Sequence, residues 1–384
     1  MFHLLLAVIY LAFISLGLPD ALLGSAWPTI YQEWSVPVSS AGVIYLIISL
    51  GTVVSSLLSD RLTRALGPGK VTALSVATTA LALWGYSVSG SFWQLCLWSV
   101  PYGLGAGSVD AALNNYVAIH YASRHMSWLH CMWGIGASAG PHIMSWVLSG
   151  GRSWSAGYQT VAVIQIVLTA LLFLSLPLWK IKQIPREKRA GKALSLRQIV
   201  AIPGAKAVMA AFFCYCAMET TAALWGASYL VLHLGMGEVE AARFGGLFYL
   251  GMTVGRAVSG FVTMRLNDRQ MVRLGQSVAA VGILAVLLPF GGKVTLAGLL
   301  LMGFGCAPIY PCFIHTTPVY FGVERSQAII GVQMASAYVG TSLMPPLFGL
   351  VAQYITPALF PVYLLVLLAA MVLLHERLVK EMRQ

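Results

Sequence analysis

Apolar segments of twenty or more residues recur along the whole of the 384-residue sequence. A helix of about 20 apolar residues is long enough to cross the hydrocarbon core of a bilayer. Charged residues make up 9% of the chain, whereas about 25% is usual in soluble domains. The sequence therefore predicts an all-α membrane protein with twelve transmembrane helices, over residues 4–31, 36–58, 71–90, 92–121, 126–150, 157–180, 205–234, 239–264, 271–290, 294–320, 326–354 and 358–378.

Basic residues are concentrated in alternate predicted loops, and they account for the net charge of +11. Three lie in the other set of loops, Arg152, Arg243 and Lys293. Because cytoplasmic loops carry the excess of Lys and Arg, both termini are expected in the cytoplasm and the protein in an inner (plasma) membrane. The same placement argues against nucleic acid as a partner. We interpret the apolar N-terminus as the first span, not as a signal peptide.

The sequence lacks the patterns of nucleotide-hydrolysing and zinc-protease sites. There is no GxxxxGK[ST] or HExxH, so we expect neither ATP-driven transport nor an enzyme. The six cysteines lie in predicted spans without metal-ligand spacing, and they are interpreted as packing residues. No cofactor or metal is expected.

Three short motifs recur in the same order, 200–204 residues apart. Residues 21–27 resemble 223–229, residues 51–62 resemble 255–266, and Gly-x-Gly at 103–105 recurs at 303–305. Such repeats indicate duplication of a six-helix unit. The predicted domains are a bundle at 1–181, a cytoplasmic linker at 182–204 and a second bundle at 205–384. The linker overlaps a basic polar stretch, 180–198, which is interpreted as resting on anionic lipid headgroups.

Three carboxyl groups are predicted inside the membrane, on Asp20, Asp110 and Glu219. A carboxylate at the bilayer centre costs at least about 2.5–3.5 kcal/mol on insertion scales, so such residues are functional by default. Burial favours the protonated form of a carboxyl group, which suits a residue that takes up and releases protons. The alternative is a structural role in hydrogen bonds between helices. We predict proton coupling by all three.

Polar residues share one face of the fourth predicted span. Gly103, Gly107, Asp110 and Asn114 are spaced by four, three and four residues. Small residues on this face permit either close helix contact or space for a ligand. We expect the face to line a path for the solute, and Asn115 to bind a neighbouring helix or the solute.

A carboxylate and an indole are predicted on one face of the first span. Asp20, Gly24 and Trp27 are related as i, i+4 and i+7. A carboxylate accepts hydrogen bonds from sugar hydroxyls, and an aromatic ring packs on the C–H face of a sugar ring. The alternative for Trp27 is the interfacial aromatic belt.

Other polar and aromatic side chains of the spans are further candidates for solute contacts. His130 can bond a hydroxyl or carry a proton, or it can be a packing residue; packing is favoured for His142 and His315. Arg256 either extends its charge to the interface or pairs with an acid such as Glu219. The remaining candidates are Trp133, Trp225, Tyr229, Tyr249, Tyr310, Gln333 and Tyr338.

The turn after the second predicted span resembles the loop motif of the major facilitator superfamily. It reads Ser-Asp-Arg-Leu-Thr-Arg over residues 59–64, followed by Gly67 and Lys70, with Ser56 at the family's leading glycine. The resemblance implies two pseudo-symmetric bundles of six helices. It also implies conformational gating by Asp60, Arg61 and Arg64, and Arg256 is added to that set.

Within the superfamily the chain is similar to the fucose/proton symporter family and its hexose-transporting relatives. The resemblance is carried by Asp20, by Asp110, and by the segments Leu129–Pro141 and Cys216–Leu230. The family places a glutamate at the position of Asp110, and a glutamine and an asparagine at the places comparable to His130 and Trp133. It implies that carboxyl groups of the first and fourth spans serve proton coupling and sugar binding.

We therefore expect a monomeric secondary transporter that takes up a sugar or sugar-like solute with protons by alternating access. Its partners are the small polar solute, protons and membrane lipid. The first alternative is a proton-driven exporter of drugs or amphiphilic solutes. The second is a sensor or lipid-handling protein that retains the fold without transport.

Overall fold

The computed structural model describes residues 2–179, 193–237, 241, 244, 246–288 and 291–382. Within these ranges every regular element is a helix, so the predicted all-α fold class is confirmed. The chain divides into two compact units: unit 1 comprises Met1–Tyr116 and Leu129–Ala193, and unit 2 comprises Val117–Trp128 and Leu194–Gln384. The predicted domain limits remain a prediction, and residues 180–192 of the predicted basic stretch lie outside the described ranges.

Unit 1 is built from long helices joined by short turns. Its elements are α1 (Phe2–Gly17), α2 (Leu22–Glu33), α3 (Ala41–Leu66), α4 (Pro68–Ser87), α5 (Phe92–His120), α6 (Ser123–Ser149), α7 (Trp154–Leu174) and α8 (Leu176–Trp179), with a 3-10 turn at Val38–Ser40. The last turn of α5 and the first turns of α6 group with unit 2.

Unit 2 contains the remaining helices. They are α9 (Leu196–Val200), α10 (Ala205–Leu232), α11 (Leu247–Val262), α12 (Asp268–Leu287), α13 (Gly292–Cys306), α14 (Ile309–Phe321), α15 (Val323–Tyr354) and α16 (Phe360–Glu381), with a 3-10 turn at Pro357–Leu359. Part of the predicted span 239–264 lies outside the described residues.

Eight helical segments of the described chain are long and apolar enough to cross a membrane. They include Leu4–Glu33 and Gly292–Phe321, each of 30 residues. Both contain a break between two helices, after Gly17 and after Cys306 respectively. The spans predicted over 4–31 and 294–320 therefore each consist of two helices.

The break in the first span has a simple cause. Pro19 has no N–H to donate, and its ring disfavours helical geometry for the residue before it. Around it the Asp20 N–H bonds to the Gly17 carbonyl and the Leu22 N–H to the Pro19 carbonyl, which are i→i+3 bonds in place of the α-helical pattern. Asp20 consequently lies in the turn between α1 and α2.

Glycines allow close contacts between helices at corresponding places in the two units. In unit 1 a Cβ added at Gly103 would overlap the Ile48 carbonyl of α3, and in unit 2 one added at Gly303 would overlap the Phe248 carbonyl of α11. Gly105 and Gly305 face α4 and α12 in the same manner. The repeated Gly-x-Gly motif thus marks the same helix contact in both units.

Trp27 belongs to the apolar core of unit 1. Its side chain is 6% exposed and its ring lies 6.4 Å from that of Phe92 in an edge-on arrangement. Since the helix is broken at Asp20, the expected i, i+4, i+7 face of Asp20, Gly24 and Trp27 does not form within one helix.

Candidate functional site

The turn between α1 and α2 presents the carboxylate of Asp20 to two aromatic donors. The indole N–H of Trp133 donates to Oδ2 at 2.8 Å, and the hydroxyl of Tyr102 donates to Oδ1 at 3.2 Å. Asp20 itself is exposed and Trp133 is half-buried. The carboxylate is therefore fixed in orientation by α5 and α6 while one side of it remains open.

Close packing of α1 on α6 positions this pair. A Cβ added at Gly136 would overlap the Ile14 carbonyl, one at Gly140 the Leu18 carbonyl, and one at Gly17 the Trp133 carbonyl. Because these three positions lack side chains, the two backbones come into direct contact. The glycines of the segment Leu129–Pro141 thus bring Trp133 next to the turn that carries Asp20.

A second polar cluster lies on α5 and α6. The Asn114 amide donates to Asp110 Oδ1 at 2.7 Å and to the Asp110 carbonyl at 3.0 Å. His130 Nε2 lies 3.1 Å from Asn114 Oδ1. Since that oxygen only accepts hydrogen bonds, Nε2 carries the hydrogen. Asp110, Asn114 and His130 are at most 6% exposed.

The two clusters of unit 1 are linked. His130 and Trp133 are three residues apart on α6 and therefore lie on the same side of the helix. Asp20 and Asp110 are close enough to interact electrostatically. Unit 1 thus holds two carboxyl groups, one exposed and one buried, and α6 contributes a residue to the cluster around each of them.

The small residues of the predicted α5 face serve helix contact. Gly103 and Gly107 abut the backbone of α3 at Ile48 and Thr52. Of the two roles considered for them, close packing is the one observed. Asn115 is 7% exposed, so it is buried in the packed interior.

Unit 2 pairs an acid with an arginine. Arg256 Nη2 lies 3.6 Å from Glu219 Oε1, and their side chains are 6% and 20% exposed. Of the two roles considered for Arg256, ion pairing is therefore the one observed. Tyr215 and Tyr249 also interact with Glu219. The Tyr215 hydroxyl donates to the Cys306 carbonyl at 2.9 Å, which ties α10 to α13.

The other residues of unit 2 that were predicted to contact solute differ in their hydrogen bonds and in their exposure. The Trp225 indole donates to the Pro345 carbonyl at 3.0 Å, and the Tyr229 hydroxyl lies 3.4 Å from the Val286 carbonyl. Tyr310 donates to the Met334 sulfur at 3.1 Å. Gln333 is fully buried and accepts from Thr317 at 2.8 Å. Tyr249 is 55% exposed, and Tyr338 is half-buried.

The loop motif after the second span contains a fixed ion pair. Arg64 Nε lies 2.9 Å from both carboxylate oxygens of Asp60, which is 5% exposed. Arg61 is exposed. This pair joins residues one turn apart on α3, and a gating role for the motif remains a prediction.

Sequence reasoning missed three residues near the carboxylates of unit 1. Tyr102 bonds Asp20, Tyr45 interacts with it electrostatically, and the ring of Phe13 meets that of His130 edge-on at 5.4 Å. A tyrosine in an apolar helix needs a hydrogen-bond partner for its hydroxyl. Tyr102, eight residues before Asp110, could therefore have been identified from the sequence as a candidate.

Within the described residues no group of three His, Cys, Asp or Glu side chains is arranged to hold a metal ion. The clusters can do two things chemically. They can accept and donate hydrogen bonds to a polar solute, and their carboxyl groups can exchange protons.

The chain is similar to transporters that are named for different solutes. A gallate transporter of Pseudomonas putida is 23% identical over 401 residues, covering 90% of this chain and 88% of its own. The glucose/mannose transporter GlcP of Bacillus subtilis is 21% identical over 360 residues, covering 88% and 86%. The crystal structure of the E. coli fucose:proton symporter FucP is similar with a TM-score of 0.75 at 16% identity, covering 97% of this chain and 98% of that one.

The family profile of the Major Facilitator Superfamily matches residues 9–322 and 208–383, in two overlapping segments that together cover most of the sequence. The family and the fold are those of transporters. The chain therefore belongs to the Major Facilitator Superfamily of membrane transporters.

Proposed function

We propose that this transporter takes up a sugar or sugar-like solute together with protons by alternating access. It works as a monomer of two six-helix halves in an inner or plasma membrane, with both termini cytoplasmic. The observation that carries the proposal is the open carboxylate of Asp20, held at 2.8 Å by the indole of Trp133. A fixed carboxylate next to an aromatic ring matches the hydroxyls and the C–H face of a sugar.

Asp20 is the first proton-coupling residue in this proposal. Its two oxygens already receive hydrogen bonds from Trp133 and Tyr102. A solute hydroxyl that approaches from the open side competes with these donors or adds to them. Protonation of the carboxyl group removes its charge and weakens both bonds, because hydrogen bonds to an ionised acceptor are about twice as strong as neutral ones.

The buried cluster of Asp110, Asn114 and His130 provides the second coupling site. Asn114 donates to Asp110 and accepts from His130, so a proton gained at Asp110 changes the bonds of all three. Trp133 lies on the same face of α6 as His130. A change at the buried carboxyl group is thereby transmitted to the partner of Asp20.

Glu219 and Arg256 complete the proposal in unit 2. Protonation of Glu219 would cancel its attraction to Arg256 and leave the guanidinium for another acceptor. Tyr249, exposed and within electrostatic range of Glu219, is the neighbouring aromatic residue proposed to contact solute.

Uptake by proteoliposomes tests the proposal. The purified protein is assayed with labelled glucose, mannose and fucose, with and without an inward proton gradient. We expect gradient-driven accumulation of at least one sugar, lost in Asp20→Asn and Asp110→Asn. Glu324→Gln, which removes an exposed acid at the start of α15, serves as the matched control and should retain uptake. Gradient-independent uptake that is unchanged in both aspartate variants contradicts proton coupling.

A second candidate function is transport of an organic acid. It is favoured by the buried guanidinium of Arg256, whose distance of 3.6 Å to Glu219 is longer than that of a close ion pair. A carboxylate solute is a natural ligand for such a group. Labelled gallate in the same vesicles distinguishes the candidates: uptake of gallate with none of the sugars, lost in Arg256→Gln, favours the organic acid.

A further inference from the structure

A histidine of unit 2 is held between two hydrogen-bond acceptors. His315 of α14 places Nδ1 2.7 Å from Asp268 Oδ2 and Nε2 3.0 Å from the Tyr121 carbonyl. Ser123 donates to the other carboxylate oxygen of Asp268. Tyr121 and Ser123 belong to the turn between α5 and α6, which groups with unit 2. His315 and Asp268 thus fasten this turn to α12 and α14.

The number of hydrogens on His315 and Asp268 determines whether both contacts can be hydrogen bonds. A neutral imidazole has one N–H, and an ionised carboxylate and a carbonyl can only accept. With neutral His315 and ionised Asp268, one of the two contacts would bring lone pairs face to face. Both contacts are hydrogen bonds only when the pair holds one additional proton, either as imidazolium with carboxylate or as imidazole with a carboxylic acid.

The nearby cations bond to other groups in the described chain, whereas the Cys312 thiol, which carries no positive charge, also interacts with Asp268. Arg269 donates to Tyr320 at 2.8 Å and Arg273 to Glu376 at 2.8 Å, while Arg124 lies 3.3 Å from His125. The Cys312 sulfur lies 4.0 Å from the Ser123 oxygen. A free cation that would replace the proton on the pair is therefore not observed among these groups.

The pair is reachable by protons. The side chains of His315 and Asp268 are 16% and 14% exposed, so neither is sealed from solvent. Asp268 is the first residue of α12, a helix whose N-cap Asn267 bonds the Gln270 N–H. The carboxylate is thus attached to a capped helix end, and it faces the turn at Tyr121–Ser123.

We propose that His315 and Asp268 form a proton-binding site whose proton ties the Tyr121–Ser123 turn to α12 and α14. Loss of that proton as the pH rises releases the turn. The site is separate from Asp20, Asp110 and Glu219, and it is independent of which solute is carried. It makes the movement of this turn depend on pH on its own side of the membrane.

Hydrogen exchange of the full-length protein in nanodiscs tests the proposal. Exchange of the backbone amides of residues 117–128 is measured between pH 6 and pH 9 and expressed as protection factors, which remove the intrinsic effect of pH. We expect protection to fall with rising pH, approaching tenfold per pH unit once the proton is lost, as for a single linked proton. His142→Gln, which changes an exposed histidine on α6, should leave this profile unchanged.

Two variants separate protonation from mere packing. In Asp268→Asn the new amide can donate to Nδ1 of neutral His315, its oxygen still accepts from Ser123, and Nε2 donates to the Tyr121 carbonyl. Protection in Asp268→Asn should therefore persist to pH 9. His315→Gln should give protection that is low and independent of pH. If wild-type protection is the same at pH 6 and pH 9, or if Asp268→Asn loses protection with rising pH as the wild type does, the proposal is overturned.

Discussion

The indole N–H of Trp133 lies 2.8 Å from Oδ2 of Asp20, and this bond joins residues 113 positions apart in the sequence. It connects the turn in the first span to α6, which also carries His130. The indole supplies a hydrogen bond to the carboxylate without adding a charge. We expect substitutions to reveal the roles of this bond, of the packing of α1 on α6 that supports it, and of the carboxyl groups of Asp110 and Glu219.

Replacing Trp133 by Phe should weaken solute binding without unfolding the protein. The variant keeps an aromatic ring but removes the donor to Asp20. A hydrogen bond to a charged group contributes about 1.5–3 kcal/mol, so the solute concentration for half-maximal uptake should rise about tenfold or more. Trp146→Phe, at a tryptophan that is 69% exposed on the same helix, is the control. Equal uptake by both variants would exclude a role for the bond.

Replacing Gly136 by Ala should destabilise the contact between α1 and α6. The added methyl group would overlap the Ile14 carbonyl, so the helices must separate. Overpacking of this kind costs about 1–3 kcal/mol, and it should lower the thermal unfolding temperature in detergent. Gly134→Ala introduces the same methyl group two residues away, where nothing lies within 4 Å. That control should be as stable as the wild type or more so, since alanine favours a helix.

Replacing Asn114 by Leu should lower the stability of the protein. Asp110 then loses the amide that donates to it at 2.7 Å while remaining buried. The cost of a lost donor to a buried charged group is on the order of 2–3 kcal/mol. The variant should therefore unfold at a lower temperature than the wild type in detergent. Asn115→Leu is the control, and a loss of stability in Asn114→Leu no larger than in Asn115→Leu would contradict the assignment.

The pair of Glu219 and Arg256 should be coupled energetically. Arg256→Gln removes the cation that lies 3.6 Å from Glu219, whereas the double variant with Glu219→Gln removes both charges. We expect the double variant to unfold at a higher temperature than Arg256→Gln alone, with a coupling energy of about 1–3 kcal/mol. Additive effects of the two substitutions would mean that the separation of 3.6 Å carries no net interaction.

The helical fold could be predicted from sequence because its signals are local. Long apolar segments and the basic loops fix the helices, and the repeated Gly-x-Gly motifs at 103 and 303 mark equivalent helix contacts in the two units. The break at Pro19 was also marked in the sequence, yet the apolar run on both sides of it favoured one uninterrupted span. A proline near the end of a helix is compatible with either a continuous or a broken span, and the packing around it determines which one forms.

The candidate site was predictable in residue type and less so in its connections. Asp110 and Asn114 are four residues apart, so their proximity follows from helical spacing alone. The bonds from His130 to Asn114 and from Trp133 to Asp20 cross between elements, and no spacing within one helix reports them. The role of His315 was missed for the same reason: its partners Asp268 and Tyr121 lie 47 and 194 residues away.

Movement of protons with solute tests the central claim most directly. Vesicles that contain the protein are placed in a weakly buffered medium without a pH gradient, and the external pH is recorded as glucose, mannose or fucose is added. The account predicts alkalinisation of the medium on addition of a transported sugar, and its loss in Asp20→Asn. Uptake of a labelled sugar at the same rate with no change in external pH would contradict it.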